Sequence, residues 1–213
     1  MKTIMFNENH GSALKTMDPS TGEEYKRYKL HTKKEAEELV QKTHEAFMSW
    51  RETSLDERSK IIMNMGKLIA DNKNELAAMM SHQMGKTLSQ AKQEVDLCAG
   101  ICEYTAKIGP EQLKDEKREL DAEDYGIISY QPLGVILGMQ PWNFPLYQCV
   151  RYSAAVIMGG NTTVFKHSEI CFETAAKIEE LFLEAGLPKN VFTPIYVKSE
   201  IADELIAHEL VKG

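Results

Sequence analysis

Nothing in this sequence is long and apolar enough to cross a membrane: no run approaches the ~20 residues that a spanning helix requires. The opening residues, MKTIMFNENHGS, hold no apolar stretch of the signal-peptide kind, so the cytoplasm is the expected compartment. Basic surplus is also missing. Lys and Arg number 25 against 32 Asp and Glu, a net charge of −7, which argues against nucleic acid or an anionic membrane as the main partner. Cysteine is sparse, and Cys98, Cys102, Cys149 and Cys171 fit reduced thiols better than a disulfide framework. Cys98 and Cys102 share a helix face at i, i+4, but no further Cys or His stands at matching spacing, so no metal site is expected. No G-x-G-x-x-G occurs, which removes the standard dinucleotide fingerprint. Met84-Gly85-Lys86-Thr87 is a fragment of a phosphate loop without its first glycine, because Met80 stands five residues before Gly85.

What remains is globular composition, 43% hydrophobic and 27% charged over 213 residues, enough for one large or two small domains. Asp18-Pro19-Ser20-Thr21-Gly22-Glu23 is a turn signal between two extended segments, a hairpin. Thr32 with Glu35 three residues later forms a capping box, and apolar residues recur at helical spacing to Trp50. A second helix starts at Ser54 and a third spans Glu75 to Met84. A fourth opens at Thr87 and runs to about Ile108, where Gly109-Pro110 is expected to stop it. The Met-rich face of these helices reads as core packing. Residues 111–125 are strongly charged, a solvated loop leading into an edge strand near Gly126–Tyr130.

The most informative stretch is LGVILGMQPWNFPLYQCVRYSAAVIMGGNTTVFKHSE, residues 133–169. Val135-Ile136-Leu137, closed by Gly134 and Gly138, reads as a buried strand. Pro141 and Pro145 break the backbone, Leu146 to Met158 is helical, and Thr162–Phe165 is a second strand delivering Lys166 at its carboxyl end. Strand, helix and strand form a parallel crossover. Asn143 and Lys166 then fall at the carboxyl ends of adjacent strands, where open α/β sheets bind ligands. On residue types alone two readings stand. Asn143 is a turn residue or a donor aimed at developing negative charge, and Lys166 is a solvated charge or, with Glu169, a ribose-binding pair. Beyond it, Cys171–Ala185 is an amphipathic helix, Val191–Val197 a third strand, and Ser199 caps a last helix to about His208.

PWNFP after GVILGMQ, followed by GGNTTVFKHSE, resembles the aldehyde dehydrogenase superfamily. The KHS form and PLGVILGMQPWNFP look most like its succinate-semialdehyde dehydrogenase branch. The resemblance implies that Asn143 is the oxyanion-hole side chain. It implies that Lys166 and Glu169 hold the adenosine ribose of NAD(P), with Trp142 and Ser168 lining the cofactor path. It makes Gly85-Lys86-Thr87 a helix–helix corner without a cofactor role. The fold class expected is α/β, an incomplete Rossmann-like parallel sheet with flanking helices. Residues 1–110 are the hairpin and helices before it, 111–132 a segment of the small antiparallel oligomerisation arm, and 133–213 the Rossmann-like half. Together, 1–213 correspond to the N-terminal part of an NAD(P)-binding domain, without the catalytic domain.

The family motifs carrying the nucleophilic cysteine (G-Q-x-C), the general-base glutamate (E-L-G-G) and the E-x-F-G-P glutamate do not occur here. Oxidation of an aldehyde by this route needs a thiolate and a base as well as the oxyanion donor. The chain alone is therefore expected to be inactive. Cys149, six residues after Asn143, reads as a small buried thiol rather than a substitute nucleophile. A carboxylate at Glu169 disfavours a 2′-phosphate, so NAD is expected ahead of NADP. Partners implied are a small aldehyde, the nicotinamide cofactor, and either further copies of the chain or a separate C-terminal half. An adenine-nucleotide-binding module and an oligomerising interaction fragment are the alternatives.

Overall fold

The structure, a computed structural model, describes residues 13–120 and 124–213. The N-terminal stretch 1–12 and the tip of the charged segment, 121–123, lie outside the described residues. Strands β1 (Ala13–Met17) and β2 (Glu24–Lys29) pair antiparallel across the Asp18–Glu23 turn, as the turn residues imply. Helix α1 (Lys33–Trp50) begins with both halves of the capping box: the Thr32 hydroxyl accepts from Glu35 N, and the Glu35 carboxylate accepts from Thr32 N. Helices α2 (Leu55–Asp71), α3 (Lys73–Met84) and α4 (Leu88–Gln112) follow.

Pro110 does not end α4, contrary to the sequence expectation. A helical proline leaves the carbonyl four residues back without its donor. Here that carbonyl belongs to Ala106, and the Ser59 hydroxyl of α2 donates to it at 2.6 Å. A side chain from the neighbouring helix replaces the missing bond, and α4 runs on to Gln112. The charged segment is likewise not all loop. β3 (Glu116–Glu119) pairs antiparallel with β4 (Tyr125–Ile128), the ribbon that family resemblance implied.

The second half is a parallel sheet, β5 (Val135–Gln140), β6 (Thr162–His167) and β7 (Phe192–Pro194), in the order β5-β6-β7. Helix α5 (Pro145–Met158) joins the first pair, and a short 3-10 turn (Glu169–Cys171) with α6 (Phe172–Glu184) joins the second. β7 is shorter than the Val191–Val197 expected, because Tyr196 leaves the sheet for His31: each residue's N–H bonds to the other, to Tyr196 O and to His31 Nδ1. Helix α7 (Ser199–Ile206) starts from Lys198 with no side-chain cap, so Ser199 is its first residue and not its cap. On the free edge of β5, Lys212 N donates to Val135 O and Leu137 N to Gly213 O.

Alternation along the strands sends neighbours to opposite faces. Val164 and Val135 pack with α1 and α7, while Phe165 and Phe192 pack into the larger core built by α2 to α6. Helices thus cover both faces, and the carboxyl ends of β5 and β6 point toward the PWNFP turn. Among the described residues no helix is long and apolar enough to cross a membrane.

Candidate active site

The register sets the site. Met139 pairs with Lys166 and Gln140 with His167, so β5 and β6 end side by side. Three residues beyond β5, Asn143 sits in the turn that enters α5, and its side chain is exposed and makes no hydrogen bond among the described residues. Trp142 beside it is 52% exposed. Lys166, Ser168 and Glu169 follow at the end of β6, each half-buried. Neither Lys166 nor Glu169 has a charged partner among the described residues. The five residues expected from the sequence therefore all lie at the carboxyl ends of two adjacent strands of one sheet.

The backbone beneath them is heavily tied. Pro145 is the first residue of α5, and Phe144 at its cap offers no side-chain acceptor. The orphan amides of Leu146 and Tyr147 are instead satisfied from another helix: Glu94 of α4 accepts from both through Oε1, at 3.0 and 2.9 Å. A carboxylate at a helix N-terminus is also favoured by the helix dipole. The second oxygen of Glu94 bonds Lys86, whose ammonium donates to Asn143 O at 3.2 Å and lies 3.9 Å from the centre of the Phe144 ring. The side chains of Lys86 and Glu94 are 8% and 1% exposed.

His167 ties the same turn to β6. Its Nδ1 accepts from Ser168 N at 2.8 Å, so Nε2 carries the proton and donates to Pro145 O at 3.0 Å. Burial holds this imidazole down at about 4, against an opposing push from the Pro145 bond, so it is neutral near pH 7.

The cysteine thiols are not exposed at this edge, although Cys171 closes the 3-10 turn that Glu169 opens. All four are fully buried, and burial pushes Cys149 well above the ordinary thiol range and Cys171 up to about 12. Among the described residues no group of His, Cys, Asp and Glu could hold a metal ion.

Residues 6–213 match the model of the aldehyde dehydrogenase family. The chain belongs to that family. It is 35% identical over 198 residues to a succinate-semialdehyde dehydrogenase [NADP(+)] of Deinococcus radiodurans, covering 93% of this chain and 41% of that one. Its fold is similar to that of succinic semialdehyde dehydrogenase from Streptococcus pyogenes solved with NADP+. That likeness has a TM-score of 0.87 and 31% identity over 92% of this chain and 43% of that one. It is also similar to an NAD-dependent aldehyde dehydrogenase from Sinorhizobium meliloti, with a TM-score of 0.88 and 28% identity over 94% of this chain and 41% of that one. This member of the aldehyde dehydrogenase family thus spans less than half the length of the relatives it matches.

Sequence reasoning missed the tie of Lys86 and Glu94 to the turn: it read Gly85-Lys86-Thr87 as a helix–helix corner with no cofactor role and did not single out Glu94. One signal was available. Glu94 lies between Ala91, Val95 and Cys98 on the buried stripe of α4, and a carboxylate on such a stripe needs a partner.

Proposed function

We propose that this chain forms the N-terminal part of an NAD(P)-dependent aldehyde dehydrogenase that oxidises an aldehyde, succinate semialdehyde by its relatives, to the acid. The observation that carries this reading is the convergence of Asn143 with Lys166 and Glu169 at the carboxyl ends of β5 and β6. The residues present suit a nucleotide. Glu169 offers a carboxylate to ribose hydroxyls, Lys166 donates to the same sugar or a phosphate, and Trp142 and Ser168 flank them. The nicotinamide group, when bound, accepts the hydride. Asn143 supplies a donor to the substrate oxygen as it gains negative charge. In this reading the thiolate comes from elsewhere, since all four cysteines are buried, and the base comes with it. The chain by itself is inactive in this reading. Glu169 favours NAD, while Lys166 leaves room for the NADP named for two of the matched relatives.

A second reading draws on the β3–β4 ribbon, where Tyr125 and Ile127 are exposed and fit contact with further copies of the chain. It complements the first as a surface for assembly, but copies of the same chain bring the same buried cysteines and do not supply the thiolate.

Aldehyde-dependent NAD(P)H formation tests the proposal. The purified chain is expected to give none with succinate semialdehyde. Turnover is expected once a polypeptide supplying the remaining length of the relatives is added. Turnover by the chain alone would overturn it, and so would no turnover after addition.

A further inference from the structure

Among the described residues, beyond their bond to each other, the hydrogen bonds and ring contact of the Lys86 and Glu94 side chains all go to the segment 143–147, while the buried thiols of Cys98 and Cys171 also lie within reach of both charges. Lys86 donates to Asn143 O and lies over the Phe144 ring, and Glu94 accepts from Leu146 N and Tyr147 N. Lys86 itself is fixed by its corner. Gly85 ends α3 in the left-handed region at φ 75°, and Thr87 caps α4, leaving Lys86 no freedom between them.

A buried ion pair is a poor stability device, because desolvation offsets most of the attraction and an apolar replacement often does as well. What such a pair supplies is geometry. No described residue bonds the Asn143 side chain, so the backbone of its turn is what places it. Lys86 and Glu94 fix that backbone on one side. His167, donating to Pro145 O, fixes it on the other.

We propose that Lys86 and Glu94 are positioning residues that aim the Asn143 amide by clamping residues 143–147. The role given to the amide rests on the proposed function; the clamping does not. Preorganised donors are worth most when no reorganisation is needed as charge develops, and a turn held at four backbone atoms meets that condition.

Nitrogen-15 NMR of the full chain tests it, with Lys86→Met, Glu94→Gln and the conservative Lys86→Arg. In the first two, the Asn143 side-chain amide and the backbone amides of Phe144, Leu146 and Tyr147 are expected to shift or broaden. Amides of α1 and α7, on the opposite face of the sheet, stay in place, and Lys86→Arg restores the pattern. Unmoved turn resonances beside a lowered melting temperature would overturn the proposal and leave the pair as core support. Should Lys86→Met not fold, Glu94→Gln decides on the Asn143 and Phe144 resonances, because it removes the charge that holds Lys86 while keeping an acceptor for Leu146 N and Tyr147 N.

With the remaining length of the relatives supplied, Lys86→Met is expected to lower kcat about tenfold, part of the 10²–10³ that losing an oxyanion donor costs. KM for the nicotinamide cofactor is expected to stay unchanged. A matching rise in that KM instead would overturn the selective action on Asn143. Absence of turnover with the wild-type chain would sink the proposed function, while the NMR result would still decide the clamp.

Discussion

Two lysine–glutamate sets stand at the two sides of this site, and they behave in opposite ways. Lys86 and Glu94 are buried, bonded to each other, and joined to the backbone of a turn. Lys166 and Glu169 are half-exposed and unpaired among the described residues. The residue types are identical, so chemistry at the level of the letter does not separate support from ligand contact. Burial and pairing do. A charge removed from water must be answered inside the protein, whereas one left at a strand end keeps its bonding capacity for a ligand.

Breaking the buried set gives the largest expected effect. Glu94→Ala strands the Lys86 ammonium and two amides of α5, and removing one partner of such a pair costs roughly 3–5 kcal/mol. Urea denaturation of wild type and variant measures it. Replacing both members with apolar residues is expected to recover the share owed to the stranded ammonium, while the amides of Leu146 and Tyr147 stay without their acceptor and the turn is loosely held. Equal losses in the single and double variants would mean that charge pairing is not what matters.

His167 gives the next effect, and its sign follows from its depressed value. The folded state holds the ring near 4, while the unfolded chain titrates near the ordinary 6.5. Stability from the neutral ring is full above the unfolded value and is lost as pH falls from about 6.5 toward about 4, by about 3 kcal/mol at most. His31, also lowered by burial, adds to the same slope. Comparing denaturation midpoints of wild type and His167→Asn across that window isolates the His167 share, which should vanish in the variant.

Local signals in the sequence were sufficient where local physics decides. Thr32 with Glu35, the Asp18–Glu23 turn and the strand from Thr162 that carries Lys166 near its end all rest on neighbours within a few residues, and each is present. Pro110 was misread because its lost bond is answered by Ser59 from another helix, 47 positions away from Ala106. The end of β7 was misread because His31 draws Tyr196 out of the sheet. The PWNFP turn was legible as a site through family resemblance, but its anchor was not. Lys86 reaches Asn143 across 57 positions, and only the packing of α4 against α5 brings them together.

The exposed set is expected to show itself in binding. Lys166→Met or Glu169→Gln should weaken NAD binding roughly tenfold, about 1.4 kcal/mol, the low end of what losing a hydrogen bond to a charged group costs. Glu169→Gln should also narrow the preference between NAD and NADP, since the carboxylate no longer opposes a 2′-phosphate. Calorimetric titration of both cofactors reads the two effects. Unchanged affinity in both variants would return Lys166 and Glu169 to ordinary surface charges.

The smallest effect is the sharpest contrast with the buried set. Lys166→Ala/Glu169→Ala removes two charges of the same types as Lys86 and Glu94, yet no described residue depends on them for a bond. Surface changes of this kind stay within about 0.5 kcal/mol, so the urea midpoint should scarcely move while nucleotide binding is lost. A drop of several kcal/mol would show that these side chains carry load in the fold, and the division between support and ligand contact would fail. A stable, non-binding variant would place the nucleotide on this edge and leave the turn opposite as an independent, prebuilt half of the site.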